Sequence, residues 1–579
     1  LASSSAPPAT PLVLVQDGDR FLRFEAPLRV LEAREAPQVR AALGAADEEL
    51  AAGRFVAGFL AFEAAAAFGL ATRPPDPDGP PVAWFGVFQD AAEAPPPRAA
   101  VGEPLPPVRW ESALDARGHA DALARIQERI AAGDTYQVNF TFPLEAPLAE
   151  DPHALFARLV CVQRPRHAAL VDLGRFVIAC ASPELFFRLE DGVLVARPMK
   201  GTAPRGRDAA EDEARAAALR ESAKERAENL MIVDMLRNDL GRVAETGSVE
   251  VPALFEVERY PTVLQMTSTV TARSRAPLSA VVEALFPCAS VTGAPKRRTM
   301  QIIAATEVAP RGVYTGAVGW AGPGGRASFG VAIRTVVADR ERARAVFGTG
   351  SGVVADSEAA REHEECLLKA CVLEEPAFAL LETMAYLPGE GYRHLEGHLA
   401  RLSQSARHFG FPLDARRIEA ALREAAAPGA AFRARLLLHS DGHVEVQSDT
   451  LPPPPRRPLR VGLAARPVDP ASPWLHHKTT RREVYDEAAA SRPDCDDVLL
   501  WNERGELTES SVANVVVEVR GQRLTPPLEC GVLPGVERAR AVAEGRAREA
   551  VVRLADLRPG QRLWLLSSLR GVREARLVG

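Results

Sequence analysis

The sequence predicts an α+β protein built as two successive modules. Three observations predict it: a length of 579 residues, enough for about three to four domains at roughly 150 residues each; strand-like and helix-like apolar patterns that alternate along the chain; and a short break at Glu374, Glu375 and Pro376, after which a new strand and helix pattern begins at Ala377. The first module is therefore assigned to 1–376 and the second to 377–579. The turn-rich LPPPPRRPL at 451–459 divides the second into a small lobe, about 377–455, and a large lobe, about 456–579.

The elements follow in order. A strand-rich start leads into a proline-rich passage, Arg73 to Val108, which reads as a surface connection without function. An amphipathic helix covers Ala116 to Ala132, and Gly133 and Asp134 end it before the strand-like TYQVNFTF. Short strands continue through Val195. A long charged helical region lies between Asp208 and Arg242, and a last helix of the module between Ser357 and Leu373. No internal repeat is present.

Composition excludes several classes. Apolar residues make up 47% and charged residues 25%, the balance of an ordinary folded protein rather than a disordered or fibrous one. Seventy basic against 76 acidic residues give a net charge of -6 without a basic block, which argues against nucleic acid or an anionic membrane as partner. Seven scattered cysteines suggest neither a disulfide framework nor a zinc ribbon and fit a reducing cytoplasm. The longest apolar stretch, Phe55 to Ala71, is interrupted by Glu63 and falls short of a membrane span. The opening LASSSAPPAT lacks the plan of a signal peptide and reads as a frayed terminus.

Lysine occurs only at 200, 224, 296, 369 and 478, so 65 of the 70 basic residues are arginine. Where arginine serves for positive charge, lysine persists mainly where a deprotonable amine or a compact ammonium is needed. Each of the five is a candidate, with chance survival as the alternative. Glu225 and Glu228 share one helix face, as do Glu362 and Glu365. Such pairs are either solvated faces or donors to a hard divalent cation such as magnesium. Lys369 lies one turn beyond Glu365, placed for an ion pair or for a substrate carboxylate. GTGSG at 348–352 reads as a turn, either plain or offering amides to an anion. Arg334, in an apolar strand, needs an anionic partner if buried, whether structural or substrate. In the second module, Lys478 lies just before a helix and Glu509 follows 31 residues later. Pyridoxal phosphate needs a lysine for its aldehyde, a carboxylate at its pyridine nitrogen and donors for its phosphate, and the module offers all three, although neither residue is diagnostic alone and Glu509, in GELTESSVAN, reads equally as a surface acid.

The motifs YQVNF (136–140), SPELFF (182–187), RPMKGTAPRG (197–206), ENLMIVDMLRNDLGR, SVTGAPKRRTMQII (290–303), RGVYTGAVGW (311–320), IRT (333–335) and GTGSGVVADS carry a resemblance. The stretch from about Phe55 to Leu373 resembles component I of aminodeoxychorismate synthase, among the chorismate-utilising enzymes, with a core at about 115–373. The resemblance implies a β-sandwich with surrounding helices. It implies magnesium on Glu228 and Glu365, with Glu225 and Glu362 assisting; substrate contacts from Gln137, Gln265, Thr292, Tyr314, Arg334, Gly348, Gly350 and Lys369; and Glu184 as the general acid for the departing 4-hydroxyl. Gln137 stands where isochorismate and salicylate synthases have a water-activating lysine. Lys200 stands where anthranilate synthases typically have alanine, which favours amination at carbon 4 with Lys200 as nucleophile. Gln265 replaces a histidine of several relatives and cannot shuttle a proton. The chain shows no glutaminase nucleophile elbow, so a glutamine amidotransferase subunit is the implied ammonia source.

Residues 378–579 resemble class IV pyridoxal enzymes of fold type IV through FALLETM, HLARLSQSA, HKTTRR, GELTES, CGVLPGVER and SSLRGV. The resemblance implies a two-lobed domain in which Lys478 holds the cofactor aldehyde, Glu509 meets the pyridine nitrogen, and Arg401, the amides of Val532 and Leu533, and Ser568 hold phosphate. Ser567 replaces an asparagine of many relatives. Fusion to an aminodeoxychorismate producer selects aminodeoxychorismate lyase, and hence 4-aminobenzoate for folate synthesis, over a general aminotransferase or a non-catalytic module. A homodimer through this module is allowed.

Overall fold

The computed structural model describes residues 10–102, 105–106, 108–426, 430–451, 453 and 457–579. Nearly all of the opening LASSSAPPAT, and most of the proline run that separates the two lobes, lie outside them. By chain contacts the residues fall into two compact units. One holds the chain up to Pro204 together with Ala216–Ala377, the other Arg205–Arg215 together with Phe378–Gly579.

The first unit is a sandwich of two ten-stranded antiparallel sheets. In one, Gln137–Pro147, Arg344–Val353, Thr335–Asp339, Phe176–Ser182, His167–Asp172 and Leu12–Asp17 lie side by side in that order. In the other the order is Met199–Pro204, Val263–Arg273, Val193–Arg197, Leu185–Glu190, Arg326–Val331, Ala317–Gly322, Phe55–Leu60 and Ala83–Phe88. Strand side chains alternate between faces, and both faces are used. In Phe176–Ser182, Ile178 and Cys180 enter one apolar core with Val13, Phe59 and Trp84, while Val177, Ala179 and Ala181 enter a second with helix residues such as Leu159 and Leu236. Helices cover the outside, as the sequence predicts.

Local chemistry sets the helix ends. Asp115 accepts from the Gly118 amide at 2.7 Å and caps Ala116–Ala131, a contact worth about 1 kcal/mol; Gly133, at φ 76°, follows its end. The charged region after Asp208 is two helices, Ala209–Glu221 and Ala223–Gly241, because the Ser222 hydroxyl accepts from the Glu225 amide and starts the second afresh. The passage Arg73 to Val108 is not all surface. Its AWFGVF forms the wholly buried strand Ala83–Phe88, which the flanking prolines conceal from a pattern search.

The second unit has two lobes. A four-stranded sheet containing Leu380–Leu387, Phe432–Leu438 and Val444–Thr450 packs with the helices Leu395–Phe409 and Ala415–Ala425. An eight-stranded mixed sheet is built around Leu459–Leu463, which runs parallel to both neighbours, Asp497–Trp501 and Gly571–Leu577. No described helix is long and apolar enough to cross a membrane, and none of the seven cysteines is joined in a disulfide.

Candidate active sites

Lys200 lies on the edge strand Met199–Pro204 of the first unit. Asn229, wholly buried on the helix Ala223–Gly241, donates to the Lys200 carbonyl at 3.5 Å and accepts from the Ser268 hydroxyl at 2.5 Å, holding the strand at this point. Burial drives the Lys200 amine below the ordinary lysine range, with Glu228 pulling the other way and Lys369 adding to the lowering. Gly352 makes the approach of two groups feasible, since a Cβ there would overlap Gln137 Nε2 and stand 3.1 Å from Lys200 Nζ. Gln137 is buried and its Oε1 has no protein partner, a polar atom that a ligand would satisfy.

Glu184 joins the strands Phe176–Ser182 and Leu185–Glu190. Burial pushes its carboxyl up to about 7, partly offset by a hydrogen bond from Ser290 and by the Lys200 charge. A carboxyl at that value can hold or release a proton near neutrality, as a general acid must. Tyr314 packs its ring where a Gly348 Cβ would be, and a Gly350 Cβ would overlap the Phe140 carbonyl. These glycines are therefore sites of close approach inside the strand Arg344–Val353. The GTGSG turn expected from sequence is part of a ladder.

The acidic pairs of the helices Ala223–Gly241 and Ala359–Ala370 lie within electrostatic reach of each other. Burial raises both Glu225 and Glu228, and Glu365 and Glu362 respectively add to the raising. Their hard oxygens suit magnesium, yet among the described residues no three acidic, histidine or cysteine groups gather as a metal ligand set. Glu365 instead pairs with Lys369 at 2.7 Å, and Glu362 accepts from Ser357 at 2.8 Å. Lys369 also donates to the Gly350 carbonyl at 2.9 Å.

One other expectation changes, and two further side chains have protein partners. Arg334 sits between strands rather than in one, at φ 51°, and donates to Gln163 at 2.8 Å. The Thr292 hydroxyl is taken up by the Cys288 and Ala289 carbonyls. Gln265 accepts from Thr202 at 3.1 Å, two residues beyond Lys200. Of the remaining lysines, Lys296 is a structural partner of Asp239 at 2.6 Å, and Lys224 is exposed.

In the second unit a cavity of about 320 Å³ is lined by Arg401, Lys478, Tyr485, Glu509, Leu533 and Ser568 among others. Burial lowers the Lys478 amine to about 8, helped by Arg401 and opposed by Glu382. Glu509, on the buried strand Leu507–Ser510, accepts from Tyr485 at 2.8 Å, Asn514 at 2.8 Å and the Leu533 amide at 3.2 Å. An amine and a firmly held carboxyl in one cavity fit the two ends of pyridoxal phosphate. The phosphate donors differ from expectation. The Leu533 amide is committed to Glu509 and so braces the carboxylate end, while the Val532 amide is taken up by the Leu528 carbonyl. Gly535, Val536 and Glu537 line the cavity where the helix Val536–Ala543 begins, and first-turn amides are anion donors. Arg401 lines the cavity but gives Nε and Nη2 to Glu382 at 2.8 and 2.6 Å and Nη1 to the Pro534 carbonyl at 3.1 Å.

The profile of the chorismate binding enzyme family matches residues 12–375, more than half of the chain. The chain belongs to the chorismate binding enzyme family. A second profile, amino-transferase class IV, matches 379–578. An aminodeoxychorismate synthase from Streptomyces griseus is 44% identical over 290 residues, 48% of this chain and 39% of that protein. Anthranilate synthase component 1 from Streptomyces coelicolor is 41% identical over 291 residues, 48% of this chain and 56% of that protein. The anthranilate synthase component I structure from Streptococcus pneumoniae TIGR4, 24% identical, matches with a TM-score of 0.52 over 65% of this chain and 94% of that one, a likeness of fold alone. The chain spans between 35% and 58% of the length of such curated relatives. Synthases of both kinds stand at similar identity. What this chorismate binding enzyme has in common with them is a component-I-like domain, here joined to a class IV aminotransferase-like domain.

Sequence reading of this chorismate binding enzyme missed Asn229, Ser290, Tyr485, Asn514 and Glu382 as site residues. Asn229, Ser290, Glu382 and Asn514 lie inside stretches already singled out (ENLM, SVTG, FALLETM and GELTESSVAN), which was the available signal; Tyr485 carried none.

Proposed function

We propose that the first domain aminates chorismate at carbon 4 with ammonia from a glutamine amidotransferase partner, and that the second eliminates pyruvate from the product to leave 4-aminobenzoate for folate synthesis. The observation that carries this reading is Lys200, a buried amine with lowered proton affinity beside the proton-holding Glu184. Neutral Lys200 Nζ attacks carbon 2 while Glu184 gives its proton to the leaving 4-hydroxyl, which departs as water. Ammonia then adds at carbon 4 and expels the lysine, and the surplus proton returns to Glu184. Magnesium on the two glutamate pairs is part of the proposal, supported by their charge and donor type.

In the second domain pyridoxal phosphate, when bound, supplies the electron sink. Glu509 keeps a proton at the pyridine nitrogen, with Tyr485 and Asn514 fixing its oxygens. Lys478 Nζ takes the proton from the carbon that bears the substrate nitrogen. Arg435, which lines the same cavity, is a cationic partner for a substrate carboxylate, while its neighbour Arg433 is paired with Asp449 at 2.6 Å. Loss of pyruvate aromatises the ring.

The test is a product assay of the full chain with chorismate, ammonium, magnesium and pyridoxal phosphate. Equimolar 4-aminobenzoate and pyruvate are the expected products, falling away when magnesium is chelated. Anthranilate overturns the reading of the first domain, and an amino-chorismate without 4-aminobenzoate overturns that of the second. In the same assay Gly352→Ala should slow chorismate consumption about 10- to 100-fold, because a methyl there displaces both Gln137 and Lys200. Parental consumption would mean that the two side chains need not sit as they do.

A further inference from the structure

We infer that the buried Arg311–Glu307 pair is a positioning hub that sets, from behind the first domain's site, the spacing of three separate segments proposed to meet substrate; the substrate contacts rest on the function proposed above. Both side chains are 2% exposed. Arg311 Nε donates to the two Glu307 oxygens at 3.2 and 3.0 Å. Nη1 donates to the Val291 carbonyl at 2.8 Å and to the Thr315 hydroxyl at 3.1 Å. Nη2 donates to the Asn139 carbonyl at 2.6 Å and to Glu307 at 2.7 Å.

Each target adjoins a site residue. Val291 precedes Thr292, Thr315 follows Tyr314, and Asn139 lies two residues along the strand from Gln137. Glu307 adds the same strand again, accepting from the Thr141 amide and hydroxyl at 2.9 and 3.0 Å. The hub is itself fixed. Phe62 lies 4.2 Å from the guanidinium carbon, and Glu63 accepts from the Arg311 amide at 2.8 Å. Thr315 is held at φ 60°, a conformation that β-branched residues rarely adopt without outside support. Only a planar fork reaches three directions at once; a lysine ammonium offers donors from one point.

Arg311 acts through backbone rather than on substrate, so it is a positioning residue. The test uses the full chain with the double variant Arg311→Met/Glu307→Leu, which removes the pair without leaving a buried charge unpaired, and with Arg311→Lys. The double variant should melt below the parent, because the Thr141 amide and the Val291 and Asn139 carbonyls lose their partners, but should remain folded under assay conditions. Amide hydrogen exchange should nevertheless rise together in 137–141, 290–294 and 313–316, and KM for chorismate should rise about tenfold with a smaller change in kcat. Arg311→Lys should show the same pattern in weaker form, and it decides the matter if the double variant does not fold. Unchanged exchange in the three segments overturns the hub and leaves a structural ion pair. If the parent consumes no chorismate, the proposed function falls, while the exchange pattern still decides the hub.

Discussion

Lys478→Ala should abolish 4-aminobenzoate formation, by about 10³-fold or more, while chorismate is consumed at the parental rate and the aminated intermediate accumulates. The size follows from the two roles proposed for this one amine, holding the cofactor aldehyde and moving the substrate proton. Its burial is what suits it to them. An ordinary lysine near 10.4 is neutral in fewer than about one molecule in a thousand at pH 7, whereas at about 8 roughly one in ten is neutral. Cofactor uptake by the free chain should therefore quicken as pH rises through about 8 and level off above it. The sign for stability is the same. Because the folded state binds this proton less tightly than the unfolded chain, stability gains from this residue as pH rises between about 8 and 10.4. Chromatography of products, together with the cofactor absorbance band and its loss on borohydride reduction, checks the variant. Parental 4-aminobenzoate formation would sink the assignment of the second domain.

Lys200→Ala should slow amination about 10²- to 10⁴-fold, and Lys200→Arg should not rescue it, because a guanidinium stays protonated and cannot attack carbon. The pair of variants separates nucleophile from counter-charge. If Lys200 only balanced Glu228, arginine would restore much of the rate. The second domain supplies an internal control, since either variant given the aminated intermediate should still release pyruvate at the parental rate. A Lys200→Arg variant with parental kcat on chorismate would remove the nucleophilic role and leave an electrostatic one.

What could be read from the sequence depended on the range of the contacts involved. The strand around Gln137, the capped helix after Asp115 and the two-lobed second unit follow from local periodicity and turn chemistry, so their signals lie within a few residues. Site residues were legible where they sit in dense motifs. Their partners were not, because they arise from pairing across the chain: Ser268 reaches Asn229 over 39 residues, Tyr485 reaches Glu509 over 24, and Arg401 reaches Glu382 over 19. Two misreadings have the same origin. GTGSG looks like a turn until Pro143 and Thr141 are seen to pair opposite Gly348 and Gly350, and AWFGVF looks like part of a loop until Phe55–Leu60 is laid beside it.

The sandwich joins strands made far apart in time. Gln137–Pro147 pairs with Arg344–Val353, and Phe55–Leu60 pairs with Ala317–Gly322. At the usual pace of a ribosome, Pro147 waits about 10–40 s for Val353 to be made. During that interval apolar strands such as Phe55–Leu60 have one edge without its final partner, the condition under which chains pair with the wrong neighbour. Synthesis of the first domain is thus the stage at which apolar strand edges stay open longest, and a chain released before Arg344 lacks the strand that closes the edge of Gln137–Pro147.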